Sequence, residues 1–442
     1  MPEIVVIGAG ISGLTVAHKL ARAGKDVLVL EGSSNVGGKI VTERVEGYLL
    51  ESGPNSLRVE NQETIDLLTE TQLSNRILEA NPASKMRYVL KSGNWIVLPH
   101  TPLQAISTAL LSPFGKLRVL AEPFISKTSL FDEPVSSFVR RRLGREIFEY
   151  GADPFITGIY AGDPERLSMR YAFNSMWSAE QTYGSLIAGL IKSRSKKTAR
   201  IRPAIVSFPN GLSELTAALR ISLKTRLHLH TGALSVERSG AGYTIFSSDK
   251  TFEAEKIIFT LPAYHIAGII APLSSAFSEH LRGIFYPPVA VVFLGYADSQ
   301  FEKLPTGFGG LIPSKEKRDI LGIIFSSSNF PGRAPSGRLL LTVLMGGAKR
   351  MDIAGWEDEE ILSAAIREVT ALLKPNGEPV FHSMKRWPRA IPQYNIGYNE
   401  VLHAIEAMER DHPGLFFLGN YRGGISMGAC IRNATELAKM LV

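Results

Sequence analysis

The stretch "EIVVIGAGISGLTVAHKLARAGKDVLVLEG", Glu3 to Gly32, constrains the fold more than any other part of the chain. Ile4 to Ile7 is a short β-branched run of the kind that fills a buried parallel strand. Gly8, Gly10 and Gly13 follow as G-x-G-x-x-G, and Leu14, Ala17 and Ala21 then recur at helical spacing up to Gly24. Val27 to Leu30 is a second apolar run and ends in Glu31, about twenty residues past the first glycine. Each part has a physical task. Gly8 makes the turn, Gly10 lets backbone approach a pyrophosphate, and Gly13 lets helix and strand pack closely. Amides at the helix start favour the phosphates, and Glu31 accepts bonds from ribose hydroxyls. A glycine triplet alone is weak. Strand, glycines, helix, strand and acid in register predict dinucleotide binding.

The rest of the composition bounds what that unit can belong to. A chain of 442 residues is too long for one hydrophobic core, so two or three domains are expected. Hydrophobic residues at 45% and charged ones at 21% exclude a disordered chain. The net charge of +7 is too small to demand nucleic acid, but it suits anionic small molecules or an anionic membrane surface. Cys430 is the single cysteine, which excludes an intramolecular disulfide and any cysteine-built metal site; no metal is expected. The apolar strand begins almost at once, with no room for a signal peptide before it, and no apolar run approaches the roughly 18 residues of a spanning helix. A cytoplasmic protein is expected, one free to touch the inner face of the plasma membrane without crossing it.

Near the C-terminus, "LFFLGNYRGGISMGACIRNATELA" has a strand (Leu415 to Leu418), a glycine-rich turn and a final helix. Gly424-Ile425-Ser426-Met427-Gly428 matches the G-x-S-x-G of a serine hydrolase elbow, whose acid and histidine come later in the chain. After Ser426 there is no histidine, and Glu436 is the only acid, so the hydrolase reading fails. Leu227 to Arg238 and Glu255 to Ala263 read as strands around a turn at Gly240 and Gly242. "PVAVVFLGYA" and "LLLTVLMGG" predict strands of a second sheet. From Thr101 to about Lys197 the pattern is helical. Its first part, Thr101 to Lys127, is rich in Leu, Ile, Ala and Phe and holds one acid, Glu122. Two accounts of that part carry equal weight, core helices and an apolar face resting on lipid. The basic run Lys192 to Arg202 reads as a solvated loop, with an anionic lipid surface as the minority account.

"SSNVGGKI", with Gly37-Gly38-Lys39, and "LLESGPNSL", with Gly53-Pro54-Asn55, join the first fingerprint and the C-terminal stretch in a pattern that resembles the FAD-binding amine oxidase and protoporphyrinogen oxidase superfamily. The long blocks "DEPVSSFVRRRLGREIFEYGADPFITGIYAGDPERLSMRYAF", "FSSSNFPGRAP", "RWPRAIPQYNIGY" and "GNYRGGISMGACI" are similar to the oxygen-dependent protoporphyrinogen oxidases along nearly the whole length. The resemblance implies an α/β fold: a discontinuous Rossmann-like FAD domain (1–75, 205–265 and 380–442), a mixed-sheet substrate domain (76–100 and 266–379) and a helical domain (101–204) that contacts substrate or membrane.

It also implies residues. FAD would be held by Gly8, Gly10, Ile11, Ser12, Gly13, Glu31, Gly32, Gly38, Lys39, Gly53, Pro54, Asn55, Ser56, Val236, Trp387, Gly419, Ile425, Ser426 and Met427, without a covalent bond. Val236 reads equally well as a plain buried strand valine. A porphyrinogen would be met by Lys91, Gly158, Gly162, Leu311, Ile324 and Leu344. Lys91 stands where the family commonly has an arginine facing a propionate, and an exposed lysine beside the Ser92-Gly93 turn is the alternative. Gly158 and Gly162 would let backbone approach a flat ring, and a tight turn before the next helix is the alternative. One family pattern has phenylalanine where Leu344 stands. The implied reaction takes a hydride from a saturated meso bridge to the flavin; oxygen reoxidises the cofactor and releases hydrogen peroxide, in three rounds. No acid–base dyad is required, and no side chain is assigned as catalytic. Protoporphyrinogen IX is the expected substrate, coproporphyrinogen III the alternative within the fold, and a flavin amine oxidase the alternative of another class. A homodimer is left open.

Overall fold

Ile4–Ile7 and Val27–Leu30 lie side by side as parallel strands, with all four residues of the first buried. The computed structural model describes residues 2–195 and 201–442. Around those two strands the chain builds a five-stranded sheet in the order Leu227–His228, Val27–Leu30, Ile4–Ile7, Lys256–Phe259, Leu415–Phe417. Every pairing in it is parallel. Its strands come from three distant parts of the sequence, so the cofactor layer closes only when both ends of the chain have come together. The helices Ile11–Arg22, Ser213–Leu223 and Met427–Leu441 cover it with apolar residues such as Leu14, Leu215 and Ile431.

A second sheet has seven strands in the order Phe381–Trp387, Val289–Ala297, Arg338–Gly346, Ile320–Ile324, Gly309–Leu311, Arg87–Lys91, Asn94–Val97. All its pairings are antiparallel except that of Gly309–Leu311 with Arg87–Lys91. The helix Asp358–Leu373 packs Ile361, Ala365 and Val369 on one face, against Val292, Leu294 and Val343. The other face, with Val291, Phe293 and Leu344, turns toward Tyr48 and Leu50 of the cofactor half. The fold is therefore mixed α/β with several sheets. The segment from Leu227 holds more than one strand. After a break at 229–232 it forms a three-stranded antiparallel sheet of Ala233–Ser239, Gly242–Ser247 and Thr251–Ala254.

The third layer is helical: Pro113–Leu120, Val135–Leu143, Asp153–Tyr160, Asn174–Tyr183 and Leu186–Ser195. Arg142 lies at its centre, fully buried with Glu122 and Glu180. Its Nε donates to Glu180 at 2.6 Å, and its Nη atoms donate to Glu122 and to the carbonyls of Ile125 and Gly184. The core-helix account of Thr101 to Lys127 fails for its best-described helix. Pro113–Leu120 has no buried residue, and Phe114, Leu117, Leu120 and Phe124 all face outward. Residues 196–200 of the basic run lie outside the described residues. Among the described residues no helix is long and apolar enough to cross a membrane.

Candidate functional site

The glycine loop is built as its spacing requires. A Cβ on Gly13 would stand 2.0 Å from the carbonyl oxygen of Gly8, so helix and strand can approach only without one. A Cβ on Gly10 would meet nothing within 4 Å. That open space adjoins the start of helix Ile11–Arg22, which has no side-chain cap and no acid in its first turn. The helix amides are thus left for an anion, and a diphosphate fits them. The Glu31 carboxylate accepts from the Ala9 amide at 2.7 Å and from the Ser33 amide and hydroxyl at 2.9 and 2.7 Å. A carboxylate has about four lone-pair sites, so one remains for a ribose hydroxyl. Gly32 lies against Gly232, just before the strand that carries Val236. The Val236 side chain is wholly buried in the apolar core.

At the other end of the groove the remaining cofactor residues meet. Gly38 lies close to Gly10, and Gly53 interlocks with Lys39, whose carbonyl oxygen would be 1.8 Å from a Cβ on Gly53. Lys39 Nζ sits 4.2 Å above the Trp387 ring and donates to the Arg389 carbonyl at 2.6 Å. Burial lowers this ammonium to about 8. Trp387 donates its indole N–H to the Ser52 carbonyl at 2.7 Å, which fixes the ring beside Gly53, Pro54, Asn55 and Ser56. The segment after Ser56 touches the C-terminal turn, where Asn61 donates to the Gly428 carbonyl at 3.3 Å. Gly419, Ile425 and Met427 belong to that turn and the helix start, and Ser426 caps the helix by accepting the Ala429 amide. Ser426 therefore has a structural task where the elbow motif would make it a nucleophile.

The substrate candidates come together on the cofactor-facing side of the seven-stranded sheet. Register pairs Leu344 with Gly322, Gly322 with Leu311 and Leu311 with Val89; Ile324 pairs with Thr342 and Gly309. Leu311, Ile324 and Leu344 are partly exposed in strands that are otherwise buried, apart from Arg338 at one end. They border open space. One cavity there is lined by Asn55 and Ser56 from the cofactor side and by Phe308, Ile324 and Thr342 from the sheet.

Gly158 and Gly162 have tasks within the fold itself. Gly158 lies inside the helix Asp153–Tyr160, and the turn begins only at Ala161, which is left-handed with φ 49°. A Cβ on Gly158 would stand 2.4 Å from Leu311 Cδ2, and one on Gly162 would stand 2.4 Å from Gln393 Oε1. Their bare backbone makes room for the protein's own side chains. Gly158 keeps a partly open position beside Leu311, whereas Gly162 is buried. Lys91 is no free surface lysine. Its Nζ donates to the carbonyls of Ala109 and Leu110 at 2.8 and 2.9 Å and lies 5.0 Å from the Tyr150 ring.

The flavin containing amine oxidoreductase family matches the chain over residues 11–441. The chloroplastic protoporphyrinogen oxidase of Nicotiana tabacum is 33% identical over 99% of this chain and 84% of its own length. The chain belongs to the flavin containing amine oxidoreductases, in their protoporphyrinogen oxidase group. A coproporphyrinogen III oxidase of Bacillus subtilis is 28% identical over 97% of this chain and 95% of its own. A solved protein of Exiguobacterium sp. has the same fold, with a TM-score of 0.83, 22% identity and coverage of 100% of this chain and 98% of that one. The cofactor is FAD and the protein an FAD-dependent oxidoreductase, which agrees with the open phosphate cradle at Gly10.

Several residues of this flavin oxidoreductase escaped the sequence reading although they stand inside the quoted blocks. Glu51 and Arg333 form a buried pair, 3.7 Å apart, on the wall of the Asn55–Ile324 cavity. Burial raises the Glu51 carboxyl to about 7, although Thr42, the Leu212 amide and Arg333 favour its charge. The Tyr394 hydroxyl donates to the Asn420 carbonyl at 2.7 Å and accepts the Gly424 amide at 3.0 Å, so it holds the C-terminal turn. The only available signal was polarity within "IPQY" and "PGRAP". Cys430 is buried against Ser12, and burial pushes its thiol up to about 11, which makes it a poor anchor for a thioether.

Proposed function

We propose that the chain oxidises protoporphyrinogen to protoporphyrin with oxygen as the electron acceptor. The observation that carries the reading is Ile324, partly exposed at a cavity it shares with Asn55 and Ser56, with Leu311 and Leu344 partly exposed on the same face of the sheet. An apolar wall facing the flavin segment suits a broad, apolar macrocycle. Bound FAD supplies the two-electron acceptor for a hydride. The chain's own residues do the rest. The sheet face and the helix bearing Gly158 hold the ring and exclude water, Trp387 fixes the segment Gly53–Ser56, and Tyr394 fixes the turn from Gly424. The identity to the tobacco enzyme supports the same substrate, and the Bacillus relative supports a porphyrinogen with more carboxylates. The amine oxidase reading needs an aromatic pair beside the flavin. Tyr421, an aromatic residue of the C-terminal turn, is fully buried in the apolar core and does not supply one member of it. Purified holoprotein given each porphyrinogen in air, with porphyrin fluorescence and peroxide followed together, tests the proposal. Faster turnover of coproporphyrinogen would transfer it to the second substrate, and no turnover of either would end it.

We also propose that the outward face of the helical layer rests on an anionic membrane. Phe114, Leu117, Leu120 and Phe124 are exposed, and the one acid between Thr101 and Lys127 is withdrawn to Arg142. Lys116, Arg118 and Lys127 remain as charges among the apolar side chains. Flotation with phosphatidylserine vesicles at low salt is expected to carry the protein upward, and protein left at the bottom would refute the contact.

A further inference from the structure

We infer that Tyr394 and Tyr398 are positioning residues for the flavin: their stacked phenols fix the turn 419–426 with its amides toward the cofactor. The inference rests on the reading of that turn as part of the FAD site. The turn joins the strand Leu415–Phe417 to the helix Met427–Leu441. Four successive carbonyls in it are taken by side chains. The Tyr394 hydroxyl donates to Asn420 at 2.7 Å and the Tyr398 hydroxyl to Tyr421 at 2.6 Å. Asn433 Nδ2 donates to Arg422 at 2.9 Å, and Arg432 Nη2 to Gly423 at 3.2 Å. The amides that follow are treated in the opposite way. Among the described residues no protein group accepts from the amides of Ile425, Ser426, Met427 or Gly428, and the Ser426 hydroxyl takes the Ala429 amide instead. The turn has its acceptors tied off and a run of donors left over, which suits a cofactor that gains negative charge.

Two of the four donors come from outside the turn and its helix. Tyr394 and Tyr398 are both buried, and their rings stack with 4.5 Å between centroids and 25° between planes. Burial holds both phenols well above their ordinary range, so they remain protonated donors. Tyr394 spends its hydroxyl twice, because it also accepts the Gly424 amide at 3.0 Å. Its own backbone is fixed from the helical layer. The Ser168 amide donates to the Tyr394 carbonyl at 2.8 Å, and the Ile396 amide donates to the Arg166 carbonyl at 2.9 Å. The turn is thus gripped from a separate layer of the fold. Tyr421 adds a seat in the core, and Gly419 makes room for it, since a Cβ there would stand 2.6 Å from the Tyr421 ring.

Reduction by two electrons adds negative charge to the flavin ring. Amides held toward that charge stabilise the reduced form more than the oxidised one, and they do so best when nothing has to reorganise. A turn released from its phenols leaves a buried carbonyl without a donor and relaxes to satisfy it. Loss of either phenol therefore lowers the reduction potential of the bound flavin.

Anaerobic reductive titration of holoprotein against a redox dye reads that potential without any porphyrinogen. Tyr394→Phe strands the Asn420 carbonyl and the Gly424 amide together. It should weaken binding of reduced FAD about tenfold more than binding of oxidised FAD, a fall of about 30 mV for a two-electron couple. Tyr398→Phe removes one bond and should lower the potential by less. Tyr243→Phe is the control. Its hydroxyl also donates from the core to a backbone carbonyl, that of Pro413 at 2.9 Å, just before the same strand. That variant should keep the wild-type potential. Any variant that sheds cofactor is titrated with FAD in excess, and if Tyr394→Phe does not fold, Tyr398→Phe decides alone. An unchanged potential in the deciding variant, or an equal fall in Tyr243→Phe, overturns the assignment. A wild type that takes up no FAD would instead sink the reading of the turn itself.

Discussion

The cofactor sheet and the helical layer hide opposite things. In the sheet, Ile4 to Ile7 and Ile257 to Phe259 are buried, and charge is kept for the groove. In the helical layer, Arg142, Glu122 and Glu180 are fully buried, while Phe114 and Phe124 are 83% and 88% exposed. The first arrangement is the ordinary result of the hydrophobic effect. The second needs a fixed ion-pair network, because helices that turn apolar residues outward have fewer left to pack with. Arg142 closes that gap by joining the loop at Glu122 and Ile125 to the helices that end or begin near Glu180 and Gly184. A region held together by charge and faced with phenylalanine is shaped for contact with something apolar.

The largest effect expected breaks this contrast at its centre. Arg142→Met fills much of the same space but leaves Glu122 without its cation and Glu180 with Arg141 alone. Removing one member of a buried network costs about 3–5 kcal/mol. Urea melting should therefore show the variant destabilised by that amount. A loss below about 1 kcal/mol would mean that water replaces the guanidinium, and the layer would not depend on its buried charges.

Next in size is a loss in the cofactor half. Glu31→Ala removes the acceptor for ribose and also frees the Ala9 amide that it holds. Hydrogen bonds to a charged group are worth about 1.5–3 kcal/mol, so FAD affinity should fall roughly ten- to a hundredfold. Fluorescence titration of apoprotein with FAD measures it. Unchanged affinity would remove the ribose from Glu31 and weaken the claim that this half keeps its charge for the cofactor.

The same contrast explains what could be read in the sequence. The cofactor groove was legible because its parts are local: Gly8, Gly10, Gly13 and Glu31 fall within one strand–helix–strand unit, and glycine spacing is itself the signal. The substrate wall was legible only by resemblance, since Leu311, Ile324 and Leu344 meet through strand register across distant segments. Gly158 misled for a physical reason. A glycine inside a helix that must clear Leu311 looks in sequence like a glycine that opens a turn. The helical layer could not be resolved either, because an apolar residue at helical spacing has no mark that says which way the helix turns it.

The smallest expected effect sharpens the contrast from its outer side. Phe114 and Phe124 stay in water in the folded chain, so folding gains almost no transfer free energy from them. Phe114→Ser and Phe124→Ser together should change stability by no more than about 0.5 kcal/mol, as substitutions at open surface sites do. The same double variant should float less with anionic vesicles, since each ring would otherwise leave water only at the membrane. Stability by urea melting and binding by flotation thus separate two roles that one deep core residue could never separate. A stability loss above about 1 kcal/mol would show that these rings are covered in the free protein, for instance by a second copy of the chain. The helical layer would then bury apolar surface as the cofactor sheet does, and its inversion would be a property of the single chain only.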